Sequence, residues 1–390
     1  MDVVQRNKDF LDKVNWEGGM AQSVTFIVTR ACQLACKYCY VVGKNNEEKM
    51  PFEIAKQAID YVLTQRNYFS KRSAIFDFIG GEPFLEIDLI DQLCDYIRIK
   101  LYETNHPWFN SYRFSITTNG IMYQDKRVQD FINKNKTHLS IGLSIDGTKK
   151  KHDLQRVYPN GKGSYDDVVK NIPLWLEQFP GASTKVTIGS DDLPYVTESV
   201  LHLCDLGIKN IMMNVVFEDI WNEGDDVLLE EQLVALADIF IERELYKTHN
   251  CSVFDSRIGV PMCSRTENKN WCGAGKMIAV DYQGNFYPCN RFAQSSLRNK
   301  PVIKIGDVHN GIILNRLRPF QVLDRCTQSL PECVKCEVAN GCAWCQAENY
   351  DVADTNTVYQ RATAICKMHK ARVRANNYYW NRLKVLGLNK

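Results

Sequence analysis

Between residues 23 and 250 the chain alternates six times between a short apolar run and a longer stretch with helical spacing. The apolar runs are Val24–Thr29, Ile75–Ile79, Arg113–Thr117, Leu139–Ile145, Lys185–Ile188 and Ile211–Phe217. The helical stretches are Pro51–Phe69, Ile87–Tyr102, Asp125–Asn133, Ser164–Gln178, Tyr195–Leu206 and Leu228–Tyr246. Strands separated by helices pair in parallel, and their crossovers are right-handed. Six units fall short of the eight that close a barrel. The expected fold is α/β, a partial and open (β/α)6 barrel, with a doubly wound sheet as the alternative. Pro51 and Pro194 suit the first turns of helices, and Gly207 suits the residue just past a helix end.

After Cys251 the pattern changes. Gly, Pro, Asn and Cys dominate, regular strands are short, and apolar periodicity is too poor for the segment to pack well unaided. The expected division is an N-terminal extension over 1–22, a barrel over 23–250 and a loop-rich, cysteine-rich module over 251–390. That module ends in a helical stretch, Lys367–Lys390, with seven Lys or Arg and no acid. Its aromatics would dock it on the barrel, or its charges would meet an acidic peptide.

Composition narrows the function. Lys and Arg number 48 against 46 Asp and Glu, a net charge of +2, which gives no reason to expect a nucleic-acid or membrane-surface protein. No signal peptide opens the chain, and no run approaches the ~18 apolar residues of a membrane span. A cytoplasmic location follows as the expectation. The outlier is cysteine, with 15 copies. An odd count in a reducing compartment argues against a disulfide framework. Three thiols fall within Cys32–Cys39 and nine between Cys263 and Cys366, a clustering that reads as metal ligation. Cys94, Cys204 and Cys251, on apolar helix faces or at a boundary, read as structural.

Cys32-x3-Cys36-x2-Cys39 follows directly on the first strand. Three thiolates this close hold three irons of one iron–sulfur cube and leave the fourth iron open. A structural zinc site needs four ligands, and no fourth Cys or His stands nearby. Cys32, Glu82, Asn119 and Ser144 each lie at or just past the C-terminal end of successive strands. That is the face on which β/α barrels carry their active sites. Ser190 and Asn214, near the ends of strands five and six, are weaker candidates for the same face.

These residues resemble the radical S-adenosylmethionine (SAM) superfamily. Gly80-Gly81-Glu82-Pro83 matches its GGE motif, which by resemblance holds the amino group of SAM. Glycine allows close backbone approach, and Glu82 accepts from an ammonium. Thr118-Asn119-Gly120 and Ser144-Ile145-Asp146-Gly147 stand where relatives contact the SAM ribose and methionine. The resemblance makes Asn119, Ser144 and Asp146 candidate contacts. His152-Asp153-x2-Arg156 resembles the stretch whose Arg pairs with the SAM carboxylate, and Tyr38 would pack near the adenine.

The second cysteine group resembles the SPASM extension, which carries two auxiliary [4Fe–4S] clusters. It runs Cys272-x11-Gly284-x4-Cys289, then Cys333-x2-Cys336-x5-Cys342-x2-Cys345, then Cys366. The interval between Cys342 and Cys345 is two residues where three are usual. The pattern implies Cys333, Cys336, Cys342 and Cys366 for the outer cluster. It implies Cys272, Cys289 and Cys345 for the inner one, completed by Cys263, with Cys326 as competitor, or left open. Three [4Fe–4S] clusters and SAM are thus the implied cofactors. On sequence alone, zinc serves CxxC pairs equally well.

The resemblance implies a peptide maturase of an anaerobic bacterium that crosslinks a ribosomally made precursor through thioether or carbon–carbon bonds. Ranthipeptide and sactipeptide maturases, including those with repeated Cys targets, are the resembled group. Its partners would be the precursor peptide and an electron donor such as flavodoxin or ferredoxin. One alternative is an anaerobic sulfatase-maturing enzyme. Those place an acid after the second inner-cluster Cys, where this chain has Asn290 and Arg291. The alternative of another class is a non-catalytic zinc-binding interaction protein. Leader-binding domains of related maturases take roughly 80 residues. Some twenty precede the first strand, so leader binding is expected from another surface or a separate protein.

Overall fold

The computed structural model describes residues 21–44, 48–261, 272–342 and 344–388. Its sheet has 11 strands. Six of them are the expected barrel strands: β1 (Ala21–Thr29), β2 (Ser73–Gly80), β3 (Tyr112–Thr118), β4 (Leu139–Leu143), β5 (Ser183–Ile188) and β6 (Asn210–Val215). They stand side by side in chain order, each neighbouring pair parallel. A doubly wound sheet reverses its order at a switch point. No reversal occurs here, so the chain forms the open, singly wound β/α sheet.

The sheet continues past both ends of this run. β7 (Asn250–Cys251) pairs in parallel with β6, which puts Cys251 in the sheet. On the other edge β8 (Ile278–Val280) pairs in parallel with β1. From β8 an antiparallel meander runs outward through β9 (Asn285–Tyr287), β10 (Gly306–Asp307) and β11 (Gly311–Ile312). The cysteine-rich segment is therefore hydrogen-bonded to the strand that leads into Cys32.

The helices follow the apolar spacing. α1 (Phe52–Thr64) buries Ala55, Ala58, Ile59, Val62 and Leu63, a stripe at i, i+3, i+4, i+7 and i+8. α2 is Ile87–Glu103, and α3 (Lys126–Asn135) starts on Asp125, which accepts from the Arg127 amide at 2.9 Å. α4 (Lys149–Gln155) lies in the stretch that the sequence marked only for its His and Arg. The single helix expected over Ser164–Gln178 is two, α5 (Tyr165–Val169) and α6 (Ile172–Gln178). Pro173 explains the break: it has no amide to bond back to Val169, and its ring crowds that carbonyl. α7 (Val196–Asp205) ends before Gly207, at φ +87°, as expected. Pro51 is the residue before α1, whereas Pro194 sits in a 3-10 turn that precedes α7 rather than in its first turn.

α8 (Asp225–Glu242) receives the C-terminal helix, Cys366–Val385. Tyr379 stacks on Phe254 with centroids 4.2 Å apart, and the Tyr378 hydroxyl donates to Asp238 at 2.8 Å. Arg374 pairs with Glu230, and Arg372 donates to the carbonyls of Ser252 at 2.6 Å and Val253 at 3.3 Å. These basic residues bind the helix to its own fold. Among the described residues no helix is long and apolar enough to cross a membrane.

Candidate active site

The loop after β1 is pinned from the far side of the sheet. The amides of Ala35 and Lys37 donate to the carbonyls of Val157 (2.7 Å) and Gln155 (3.0 Å), and the Cys39 amide closes a turn on Cys36 at 3.1 Å. Leu34 anchors the loop in the core. Cys32, Cys36 and Cys39 thereby open on one cavity of about 450 Å³ at the C-terminal ends of the strands. Burial pushes the Cys32 thiol up to about 11 and raises Cys36 as well. Such thiols are poor free thiolates and need a partner of positive charge to stay ionised. The surroundings supply donors to sulfur: the Leu34 amide reaches Cys32 Sγ at 3.4 Å, and Asn119 Nδ2 reaches it at 3.9 Å. The Lys44 ammonium, opposed by burial, is still held above its ordinary range by Cys39 and Cys36. Three thiols facing one void, with N–H donors behind them, fit a cube. Among the described residues no three His, Cys, Asp or Glu side chains converge on a point where a single ion sits.

The two glycines after β2 have a reason that the sequence did not show. A Cβ on Gly81 would overlap the carbonyl of Ala31, and one on Gly80 the carbonyl of Thr29. The backbone of the cysteine loop itself lies against them. It is tied there by the Gly81 amide to Thr29 O (2.9 Å) and the Glu82 amide to Ala31 O (2.8 Å). Glu82 then points into the cavity wall, fully buried. It accepts from Thr118 Oγ1 at 2.6 Å and from the amides of Asn119 at 2.7 Å and Phe84 at 3.1 Å. Burial lifts its carboxyl to about 7 despite these donors.

Asn119, Ser144 and Arg156 line the same cavity, with Tyr38 and both glycines. Asp146 does not: it is wholly buried behind them. Its carboxylate accepts from Arg156 Nε at 2.9 Å, from the Thr187 amide at 3.0 Å and from the Tyr38 hydroxyl. Burial would raise its carboxyl, but Arg156, Lys151 and His152 hold it down at about 2. Tyr38 lies under the Arg156 guanidinium, 5.4 Å from ring centroid to Cζ. Of the two weaker candidates, Asn214 lines the cavity, and Ser190 lines an adjoining groove of about 270 Å³.

Cys333, Cys336, Cys342 and Cys366 surround one small void. Arg361 donates to Cys342 Sγ at 3.0 Å and lies 5.1 Å from the Trp344 ring centroid. Cys272 and Cys345 are near enough to Cys289 to add their charge to the effect of burial and raise its thiol further. Cys326 is exposed on the short helix Arg325–Gln328. Cys263 lies outside the described residues. Arg291 donates to Cys345 Sγ at 3.6 Å and pairs with Glu218 and Glu348. Asn290, Arg291 and Glu218 also line the cavity of Cys32, Cys36 and Cys39, which so touches both cysteine regions.

Asp77, Lys185 and Glu218 were missed in the sequence. A signal existed for two of them. Asp77 interrupts SerAlaIlePheAspPheIle and Lys185 interrupts ThrLysValThrIle, charges in the middle of otherwise apolar or neutral strands. Glu218, in the loop after β6, carries no such mark.

Residues 26–213 match the family model of the Radical SAM superfamily. An uncharacterised protein of Methanocaldococcus jannaschii is 34% identical over 192 residues, 48% of this chain and 60% of that one. A cysteine-type anaerobic sulfatase-maturating enzyme of Clostridium novyi is 32% identical over 146 residues, 37% of either chain. The antilisterial bacteriocin subtilosin biosynthesis protein AlbA of Bacillus subtilis is 24% identical over 276 residues, 70% of this chain and 56% of AlbA. The chain thus spans less than two thirds of the length of each of these relatives. Among solved structures, native anSMEcpe with bound AdoMet and Cp18Cys peptide superposes with a TM-score of 0.67 at 17% identity, covering 94% of this chain and 98% of that one. Over residues 26–213 the chain is similar to the Radical SAM superfamily, and the proteins it resembles include a sulfatase-maturating enzyme and a bacteriocin biosynthesis protein.

Proposed function

We propose that the protein matures a ribosomally made precursor peptide, joining a cysteine sulfur to an unactivated carbon or, in a variant of the same chemistry, two carbons. A [4Fe–4S] cluster with bound SAM supplies a 5′-deoxyadenosyl radical that takes a hydrogen atom from the substrate. Cys32, Cys36 and Cys39 hold that cluster. Glu82 receives the SAM ammonium, and Arg156, kept in place by Asp146, receives its carboxylate. Asn119 and Ser144 flank the ribose and methionine, and Tyr38 flanks the adenine. The narrow cavity keeps water and other C–H bonds away from the reacting carbon.

The observation that carries the reading is the shared cavity, with Cys32, Cys36 and Cys39 on one wall and Asn290 and Arg291 of the second cysteine region on another. A substrate held there meets both. Two auxiliary clusters complete the set of three: Cys272, Cys289 and Cys345 with Cys263 for the inner, and Cys333, Cys336, Cys342 and Cys366 for the outer. In thioether formation the C–H hydrogen goes to 5′-deoxyadenosine and the thiol proton to solvent. The electron that remains needs an oxidant, which a cluster held by Cys272, Cys289 and Cys345 would supply. A flavodoxin- or ferredoxin-type donor supplies the electron that starts each turnover.

A second reading, formylglycine formation on a sulfatase, is supported by the Clostridium novyi relative. Asn290 and Arg291 weigh against it, because that chemistry uses an acid after the second inner-cluster Cys. Anaerobic purification with iron and sulfide analysis comes first, and zinc in place of iron ends both readings. Mass spectrometry then separates them. A crosslinked peptide loses two hydrogens and keeps its sulfur, whereas a formylglycine product loses the sulfur and gains an aldehyde.

A further inference from the structure

Most charges that face the reaction cavity are already engaged. Arg156 has Asp146, Arg291 has Glu218, and Glu82 has three donors. Lys185 has no such partner: it forms no ion pair or hydrogen bond among the described residues. Its direction is fixed by the pleat. Thr184, Val186 and Ile188 of β5 are about 1% exposed and face the helices. Lys185 and Thr187 therefore face the lumen, and both line the cavity. Asp77 faces the same lumen from β2, three strands away, bound to Ser115 of β3 and near enough to Lys185 to feel its charge.

We propose that Lys185 is a specificity residue that holds a carboxylate of the substrate inside the reaction cavity. The proposal rests on the reading of this cavity as the reaction chamber. Lys185 is exposed to the open cavity, so its ammonium is within reach of an anion that enters. The surrounding cavity walls, Arg156 and Arg291 weaken its hold on its proton, while Asp146 and Cys39 act the other way. Arg156 and Arg291 nearby are already paired with Asp146 and with Glu218, which leaves Lys185 as the cation among these three that can draw an anionic group inward. Asp77 opposite Lys185 repels that anion from the far wall, so the carboxylate has one seat. The carboxylate belongs to an acidic side chain or to a free C-terminus.

The probes are N-acetyl-aspartate N-methylamide and N-acetyl-asparagine N-methylamide, deuterated at their carbons, given to the anaerobically reconstituted full chain. The readout is deuterium in 5′-deoxyadenosine. The aspartate probe should transfer roughly tenfold more label, the weight of one charge-assisted contact. Lys185→Gln should abolish the preference and Lys185→Arg should keep it. N-acetyl-alanine against its methylamide distinguishes a C-terminal carboxylate from a side-chain one. Equal label from acid and amide in both probe pairs of the unmodified enzyme, absence of label included, overturns the proposal without any variant. Survival of the preference in Lys185→Gln overturns it as well. A weakened SAM affinity in that variant overturns it too, by assigning the lysine to SAM. If no 5′-deoxyadenosine forms at all, the parent reading falls and takes the proposal with it.

Discussion

Arg156 donates from Nε to Asp146 Oδ2 at 2.9 Å, and neither side chain is more than 9% exposed. Asp146 lies just past β4 and Arg156 just past α4, so the pair fixes the strand end to the helix end. Asp146→Asn keeps the shape and removes the charge, leaving a buried guanidinium uncompensated at a cost of about 3–5 kcal/mol. The urea midpoint should fall accordingly, and SAM affinity with it. The pH dependence has a definite sign. A carboxyl at about 2 in the fold and about 3.9 in the unfolded chain stabilises the fold above pH ~4. That contribution is lost as pH falls toward 2. The variant should lack this acid limb in apo-protein unfolding, and an unchanged limb would show that the pair contributes nothing.

Glu82 has the opposite displacement, up to about 7. In the protein without SAM, a raised carboxyl costs stability as pH climbs from about 4.3 through 7, because the fold must then hold a buried charge. An arriving ammonium needs that charge. SAM affinity should rise with pH up to about 7 and level off above it. Glu82→Gln should bind weakly and without this slope. Equilibrium dialysis across the range decides, and a flat profile in the unmodified protein would remove Glu82 from the SAM site.

Much of this was legible before the structure. Strand and helix alternation, the cysteine triplet and four polar residues just past strand ends were enough to place one active face. Cys32, Glu82, Asn119 and Ser144 do follow β1 to β4. What escaped depends on contacts between distant segments. That Gly81 serves the Ala31 backbone, that Asp146 stands behind Arg156 rather than in the cavity, and that Pro173 divides a helix follow from three-dimensional neighbours or from one missing amide. The basic C-terminal helix could be read two ways because spacing does not say which face is covered. Glu230, Asp238 and the Ser252 carbonyl take up Arg374, Tyr378 and Arg372.

Gly81→Ala tests the junction between β2 and the cysteine loop. Its Cβ has no room against Ala31, whose backbone has little freedom to move because the Glu82 amide is bonded to it. The expected outcome is a displaced Cys32 and loss of about 1–3 kcal/mol from overpacking. Iron should fall by about four per chain from a total of roughly twelve, with the C-terminal clusters retained. Full iron content with normal SAM cleavage would mean that the loop yields and the glycine is not needed there.

Arg361 gives the sharpest test of the C-terminal site. It donates to Cys342 Sγ at 3.0 Å while lying over Trp344 and bonding Ser329 Oγ at 2.9 Å. A fixed positive charge and an N–H donor on a ligand sulfur both favour the reduced, more negative state of a cluster. Arg361→Gln removes the charge and keeps a donor, and Arg361→Met removes both. The reduction potential of the outer cluster should therefore fall in the order unmodified, Gln, Met. EPR-monitored titration in a Cys32→Ala, Cys36→Ala, Cys39→Ala background isolates the C-terminal signals from the SAM cluster. Iron content should stay the same across the series, because Cys333, Cys336, Cys342 and Cys366 remain. An unmoved potential would make Arg361 a packing residue, and zinc bound in place of iron would overturn the cluster assignment itself.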